Sequence, residues 1–319
     1  MQRFFNKTSQ EKFPDDVTAK SSSGKDFPFK IEGVCAVSDV TKPSRSTKDF
    51  PFQIPGISAV SDVTVKKPKP LPRPVPEAER VTEACILEKL SVTWADSRRI
   101  QNVPQGTQAW LDARKNRLTA SNFGAAIGNN RYKSPNGLLR DMLWNVFRGN
   151  AATRWGSEHE DIARDAYIAR VQREIDDGTS PYTSIRVEET GLFVNPARSW
   201  LGSSPDGVVH VTTRDGGSHK FLLEIKCPFR KRFYDPPVPD YYNCQIQGVM
   251  ANMDLPYCDF VVWTPTGMQV TRVPFDTEFW EGTLLPGLEK FYKERYLPAI
   301  VAKANGLLAP GETTTTLNL

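Results

Sequence analysis

The sequence predicts an α+β domain, a mixed β-sheet flanked by helices, behind a proline-rich arm of about 80 residues. Three observations predict it. Ten of the 25 prolines fall within residues 1–80. Beyond residue 81, segments of helical period alternate with short β-rich runs. Polar turns separate those runs, the clearest being Arg214-Asp-Gly-Gly-Ser, a hairpin signal.

The arm, residues 1–80, holds a direct repeat: Lys25-Asp-Phe-Pro-Phe begins a 17-residue stretch ending at Thr41 that recurs from Lys48 to Thr64, a period of 23. A decayed copy lies at Lys12-Phe-Pro. Two or three polar copies are too few to stack as a solenoid. They read either as linear motifs in a disordered arm, serving an unidentified partner, or as a duplicated linker. Next, Lys66 to Pro76 places proline at alternate positions, an extended polyproline spacer.

Residues 81–305 are predicted to form the folded domain and 306–319 a flexible tail. Helices are expected over Thr107–Lys115, from a cap at Ser121 through Ile127, over Pro135–Phe147 behind a Ser134 cap, and from Ser157 to Ile175. Short strands are expected at Ile185–Glu189, Leu192–Asn195, Val208–Thr213 and Lys220–Cys227. Asp240 is expected to cap a helix to Met253. A strand pair then covers Tyr257–Thr264 and Met268–Val273, and a helical region Thr277–Asn305 is interrupted at Pro286-Gly287.

Composition narrows the function. No apolar run is long enough to span a bilayer, and the first residues lack a signal peptide's apolar stretch, so no membrane role is expected. Five scattered cysteines and three histidines show no zinc-site spacing, and a reducing compartment is expected. The net charge of +4 sits in the arm, where 14 Lys and Arg face 10 Asp and Glu, while residues 81–319 balance at 27 against 27. Any grip on nucleic acid must therefore come from local basic clusters.

The chemistry is concentrated between Ser204-Pro-Asp206-Gly and Leu223-Glu224-Ile225-Lys226, with 18 residues from Asp206 to Glu224. On a strand, Glu224 and Lys226 share one face, while Phe221, Leu223 and Ile225 point to the core. Across the hairpin Asp206 comes alongside Glu224. Two adjacent carboxylates repel, and Mg²⁺ with its preference for oxygen resolves that repulsion. Lys226 stands where it orients a metal-bound water or stabilises charge on an attacked phosphate. Asp206 followed by Glu224-Ile-Lys226 is the PD-(D/E)xK constellation. An exposed hairpin with a Glu224–Lys226 salt bridge is the plainer reading of the same residues.

Five blocks extend the pattern: Trp110-Leu-Asp-Ala-Arg114 through Thr119-Ala-Ser121, Trp155-Gly-Ser-Glu-His-Glu160 through Arg164, Ser204-Pro-Asp-Gly-Val, Leu223-Glu-Ile-Lys-Cys-Pro-Phe229, and Cys244-Gln-Ile-Gln247. In this order they resemble the YqaJ-like viral recombinase and lambda-exonuclease family, within the PD-(D/E)xK nucleases. That resemblance implies a restriction-endonuclease-like core and Mg²⁺-dependent, two-metal hydrolysis of duplex DNA from 5′-phosphorylated ends, with Mn²⁺ substituting. It implies Glu160 as a further acidic contributor, in preference to Glu158, with His159 a surface residue, and the Ile225 carbonyl as a metal ligand beside Asp206 and Glu224. It places Arg114, Thr119, Ser121 and Ser204 at a terminal-phosphate pocket and favours Gln247 over Gln245 in the active site. Arg230-Lys231-Arg232 reads as a DNA-backbone contact or a solvated loop. Family partners would be a single-strand annealing protein and a ring-shaped homotrimer, and the origin viral or a mobile element. A structure-specific endonuclease and a catalytically inactive DNA-binding scaffold are the rival readings.

Overall fold

The computed structural model describes residues 75–145 and 149–313; the repeats, the proline spacer through residue 74, and Phe147 lie outside them. The chain divides after Lys66, and the second unit holds every described residue.

Folded structure begins earlier than residue 81. The Val75 N–H donates to the Asn305 carbonyl, and the Asn305 side chain accepts from Val81 N–H, so both ends of the domain are tied together. Two helices the sequence reading passed over come first, α1 (Glu83–Leu90) and α2 (Trp94–Gln101). Their signal was present: Thr82 caps α1, and Thr93 with Asp96 forms a reciprocal capping box on α2. Helix α3 (Gln108–Arg114) follows a Thr107 cap, and β1 is the short Leu118–Thr119.

Ser121 does not cap a helix. It lies inside a 3-10 turn, Ala120–Asn122, that runs into α4 (Phe123–Ala126), where i→i+3 backbone bonds satisfy the leading amides instead. Ser134 does cap α5 (Pro135–Trp144), accepting from Gly137 N–H. The long helix α6 runs Ala151–Asp176 and starts well before Ser157, because Asn150 supplies the cap.

Strands β2 (Tyr182–Glu188), β3 (Leu201–Gly202), β4 (Gly207–Thr213) and β5 (Ser218–Lys226) come next. The expected strand at Leu192–Asn195 is only an isolated bridge from Phe193 to Ser203. Helix α7 (Asp240–Met253) begins at Asp240, which stands in its first turn rather than capping it, where its charge suits the helix dipole. Strands β6 (Tyr257–Thr264) and β7 (Gly267–Pro274) complete a five-stranded sheet of order β2-β4-β5-β6-β7. Within this sheet only β5 and β6 pair in parallel, with α7 making that crossover, while β1 and β3 form a separate short parallel pair.

The crossover leaves an apolar core on each face of the sheet. Phe221, Leu223 and Ile225 pack toward α6 with Ala163 and Tyr167, while Leu222 on the opposite face belongs to a larger core with α4, α5, α7 and the C-terminal helices. Helices cover both faces, so Glu224 is 1% exposed. Helices α4 and α7 touch at small residues: a Cβ on Gly124 would meet the Tyr241 backbone at 2.9 Å, and one on Gly248 the Phe123 ring at 2.3 Å.

The final run α8 (Thr277–Phe279), α9 (Leu285–Phe291) and α10 (Leu297–Ala304) does not break at Pro286-Gly287. A π turn, Trp280–Leu284, precedes Pro286, and a second, Tyr292–Tyr296, precedes Pro298. The wider turn absorbs the amide each proline lacks. The first part of the expected tail packs down, with Leu308 buried and Trp144 Nε1 donating to the Glu312 carbonyl. Among the described residues no helix is long and apolar enough to cross a membrane.

Candidate active site

Strand β5 outruns β4. Their pairing ends at Gly207 with Leu223, so Glu224, Ile225 and Lys226 extend beyond it and the Ile225 amide finds no partner on β4. Asp206, one residue before β4, supplies one: its Oδ2 accepts from Ile225 N–H at 2.7 Å. The residue after it must be small, since a Cβ on Gly207 would meet Val187 Cγ1 at 2.6 Å.

Glu224 Oε1 accepts from Lys226 Nζ and from Gln245 Nε2, each at 2.5 Å. Its other oxygen, Oε2, is buried without a partner among the described residues. Lys226 Nζ also lies 5.0 Å over the Tyr242 ring. From α6, Glu160 approaches the same place, one Oε1 accepting from Arg164 Nη2 at 3.2 Å. Glu160 shares its helix face with buried Ala163 and Tyr167, which anchor that face on the sheet. Glu158 is exposed; His159 is half-buried, stacked on Trp155 with ring centroids 3.7 Å apart.

The electrostatics follow from crowding. Burial, then the neighbouring Asp206, pushes the Glu224 carboxyl up to about 8. The same two causes push Glu160 up to about 7. Burial also raises Asp206, against the pull of Lys226 and the Ile225 amide. For Lys226 burial acts downward, but Glu224 and Asp206 outweigh it and hold the ammonium well above its usual range. Lys226 is thus a fixed cation and not a proton acceptor near neutral pH.

Among the described residues no group of three or more His, Cys, Asp or Glu is drawn together as an assembled metal cluster. The donors nevertheless fit a hard divalent cation: all are oxygens, burial with the crowding of Glu224 and Glu160 against Asp206 raises their pKa values, and Glu224 Oε2 lacks a partner among the described residues. Mg²⁺ is commonly held by one or two carboxylates and completed by water.

Two clefts meet at these carboxylates, both lined by Glu160 and Asp206. The first, about 1420 Å³, also carries Trp110, Arg114, Ser121, Asn122 and Arg164. Arg114 donates to Ser204 Oγ and Thr119 Oγ1, both at 3.3 Å, and lies 4.1 Å over the Trp110 ring, whose Nε1 also reaches Ser204. Its recorded partners are all neutral, and burial lowers it to about 10, so it remains charged. A half-buried guanidinium held by hydroxyls and a ring suits an anion. Ser121 is exposed on the same cleft, without a recorded bond to Arg114.

The second cleft, about 960 Å³, is lined by Ile225, Lys226, Arg230 and Arg232 among others. Lys231 turns away at a left-handed φ of 55° and places Nζ 4.8 Å over Trp155. The expected run of three cations is therefore split.

The choice of Gln247 is corrected. Gln245 reaches Glu224, whereas Gln247 donates to the Pro274 carbonyl and accepts from Asp276 N–H, clasping α7 to the end of β7. Two residues apart on a helix point to opposite sides. Trp110, Asn122, Arg164 and Tyr242 were not singled out; the spacing of four from Trp110 to Arg114 and from Glu160 to Arg164 was the available signal.

An aspartate leading one strand and Glu-x-Lys ending its antiparallel neighbour, on a mixed sheet flanked by helices, define the PD-(D/E)xK arrangement. Within that class, residues 109–256 match the YqaJ-like viral recombinase domain. It is 26% identical over 175 residues to uncharacterized protein R354 of Acanthamoeba polyphaga mimivirus, covering 51% of this chain and 30% of that one. It is 29% identical over 168 residues to protein D345L of African swine fever virus, covering 46% of each. The chain thus spans less than half the length of these relatives. Among solved structures it is similar to an alkaline exonuclease of Laribacter hongkongensis, with TM-score 0.48 and 25% identity over 62% of this chain and 95% of that one. A phage-related exonuclease of Haemophilus somnus gives TM-score 0.37 and 17% identity over 56% and 94%.

Proposed function

We propose that this protein is a divalent-cation-dependent deoxyribonuclease that removes nucleotides from 5′-phosphorylated ends of duplex DNA. The observation that carries the reading is the pairing of two unlike sites across one cleft, a crowded carboxylate cluster and a half-buried arginine without a counterion among the described residues. The first is suited to hydrolysis. The second is suited to a terminal phosphate.

Asp206, Glu224, Glu160 and the Ile225 carbonyl would hold the cation, Mg²⁺ with Mn²⁺ as substitute; when bound, it would supply Lewis acidity and lower the pKa of a water. The chain's own residues do the rest. Asp206 is locked by the Ile225 amide, and Gln245 with Lys226 orients the Glu224 carboxylate. The fixed charge of Lys226 lies beside the reaction centre, where it offsets charge building on the attacked phosphate. Arg114, with Ser204, Thr119 and exposed Ser121, would bind the terminal phosphate and set the scissile bond one step away over the carboxylates. An annealing-protein partner and a ring-shaped oligomer are carried by the family alone.

The test compares linear duplexes with 5′-phosphate and 5′-hydroxyl ends and covalently closed circles, each with Mg²⁺. A charge-assisted hydrogen bond contributes about 1.5–3 kcal/mol, so the phosphorylated end should be degraded at least roughly tenfold faster. Arg114→Ala should erase that preference while leaving slow cleavage. Equal rates at both ends, or ready nicking of circles, would overturn the end-directed reading in favour of an endonuclease.

A further inference from the structure

Seven large hydrophobic side chains are exposed among the described residues, and three of them, Tyr132, Phe229 and Phe233, line the second cleft. Tyr132 is 71% exposed, Phe229 51% and Phe233 45%. Scattered singly they would be unremarkable; gathered in a cleft whose floor is Asp206, Ile225 and Lys226, they mark a contact surface. The same cleft carries Arg131, Arg230 and Arg232. Arg131 already lies 4.8 Å over the Tyr132 ring, and that ring meets Tyr241 edge-on at 5.7 Å, which steadies its exposed face.

Exposed rings interleaved with guanidiniums match one ligand chemistry. Guanidiniums suit a phosphate backbone, and an aromatic face suits the face of a base. In an intact duplex those faces are covered by neighbouring base pairs, leaving rings on the protein nothing to stack on. An unpaired strand offers both.

We infer that the second cleft binds a single-stranded segment of DNA, its bases stacked on Tyr132, Phe229 and Phe233 and its phosphates on Arg131, Arg230 and Arg232. The inference rests on the proposed nuclease reading only in taking the strand to be the one cut at Asp206 and Glu224. Stacking, rather than pairing, then holds the strand on the side of the carboxylates away from Arg114, so the cleft favours a frayed or single-stranded tract over a closed duplex.

The experiment measures binding without cleavage. The full chain is titrated in chelator into a fluorescein-labelled 12-mer of thymidines and into the same backbone with abasic sites. The wild-type protein should bind the abasic strand at least about tenfold more weakly, since each stacked base contributes measurably to affinity. Phe229→Ala, Phe233→Ala and Tyr132→Ala should each lose severalfold affinity for the thymidine strand and discriminate less against the abasic one. The ring-preserving Phe229→Tyr and Tyr132→Phe should retain both, which separates stacking from misfolding. Equal affinity of the wild-type protein for both strands would overturn the inference, as would tighter binding of a blunt duplex that the alanine variants leave unchanged. Cleavage plays no part in this readout, so failure of the nuclease reading leaves base-dependent binding standing, and the reverse holds too.

Discussion

Glu224 holds its carboxyl in a buried, crowded site, and replacing it with glutamine should change how stability depends on pH. Burial and Asp206 raise its carboxyl from 4.5 to about 8. The folded state therefore holds a proton that the unfolded chain releases near its ordinary value. Glu224 does not oppose stability at low pH; it costs stability progressively as pH rises through the window from about 4.5 to about 8. At 1.36 kcal/mol per unit the full displacement corresponds to roughly 5 kcal/mol, and proton sharing with Glu160 and Asp206 reduces what Glu224 alone contributes to about 3 kcal/mol. In a domain of this size that is roughly 6–12 °C of melting temperature. Glu224→Gln preserves the shape and an oxygen that accepts from Lys226, yet cannot ionise. Melting followed by circular dichroism in chelator at intervals from pH 5 to pH 9 should show the wild-type curve falling more steeply than the variant's. Added Mg²⁺ should flatten the wild-type curve, because binding favours the ionised carboxylates. Parallel curves in chelator would refute the reasoning: Glu224 would then share no raised proton with its neighbours.

Other substitutions separate chemistry from architecture. Gln245→Ala removes the amide on Glu224 and should lower turnover about tenfold with a nearly unchanged melting temperature, measured by steady-state kinetics. Gln247→Ala leaves the Asp276 amide and Pro274 carbonyl without partners and should cost about 2 kcal/mol in urea unfolding, while the folded fraction keeps full turnover. Asp259→Ala strips the bidentate partner of Arg272 and the acceptor of Tyr167 and should destabilise the domain by about 3 kcal/mol in the same assay. Removing residues 1–74, whose repeats and alternating prolines read as a tether, should leave cleavage of short DNA intact.

The five strands of the main sheet and most helices were legible because capping residues and alternation are local: Ser134, the Arg214–Ser218 turn and the run Tyr257–Thr264 each carry their own signal. What escaped depends on distant packing. The π turns ahead of Pro286 and Pro298 arise from a helix continuing over the core despite its prolines, and no local pattern announces that. Glu224 was visible as a metal candidate, but its burial on both sides came from α7 crossing over the sheet. Gln245 and Gln247 stand two residues apart with the same side chain, and only the helix's rotation against β5 separates the one on Glu224 from the one at Pro274. Arg114 and Ser204 were matched as separate blocks; their convergence required α3 to pack against the entry to β4.

The central claim is that Asp206, Glu224 and their neighbours hydrolyse DNA only with a divalent cation. The direct measurement is release of acid-soluble nucleotide from uniformly labelled linear duplex as Mg²⁺ is titrated from chelated zero, for the wild-type protein and for Asp206→Asn verified as folded by circular dichroism. The account predicts saturable Mg²⁺-dependent release by the wild-type protein and loss of at least a hundredfold in the variant. Release that persists in chelator, or undiminished release by Asp206→Asn, would contradict it.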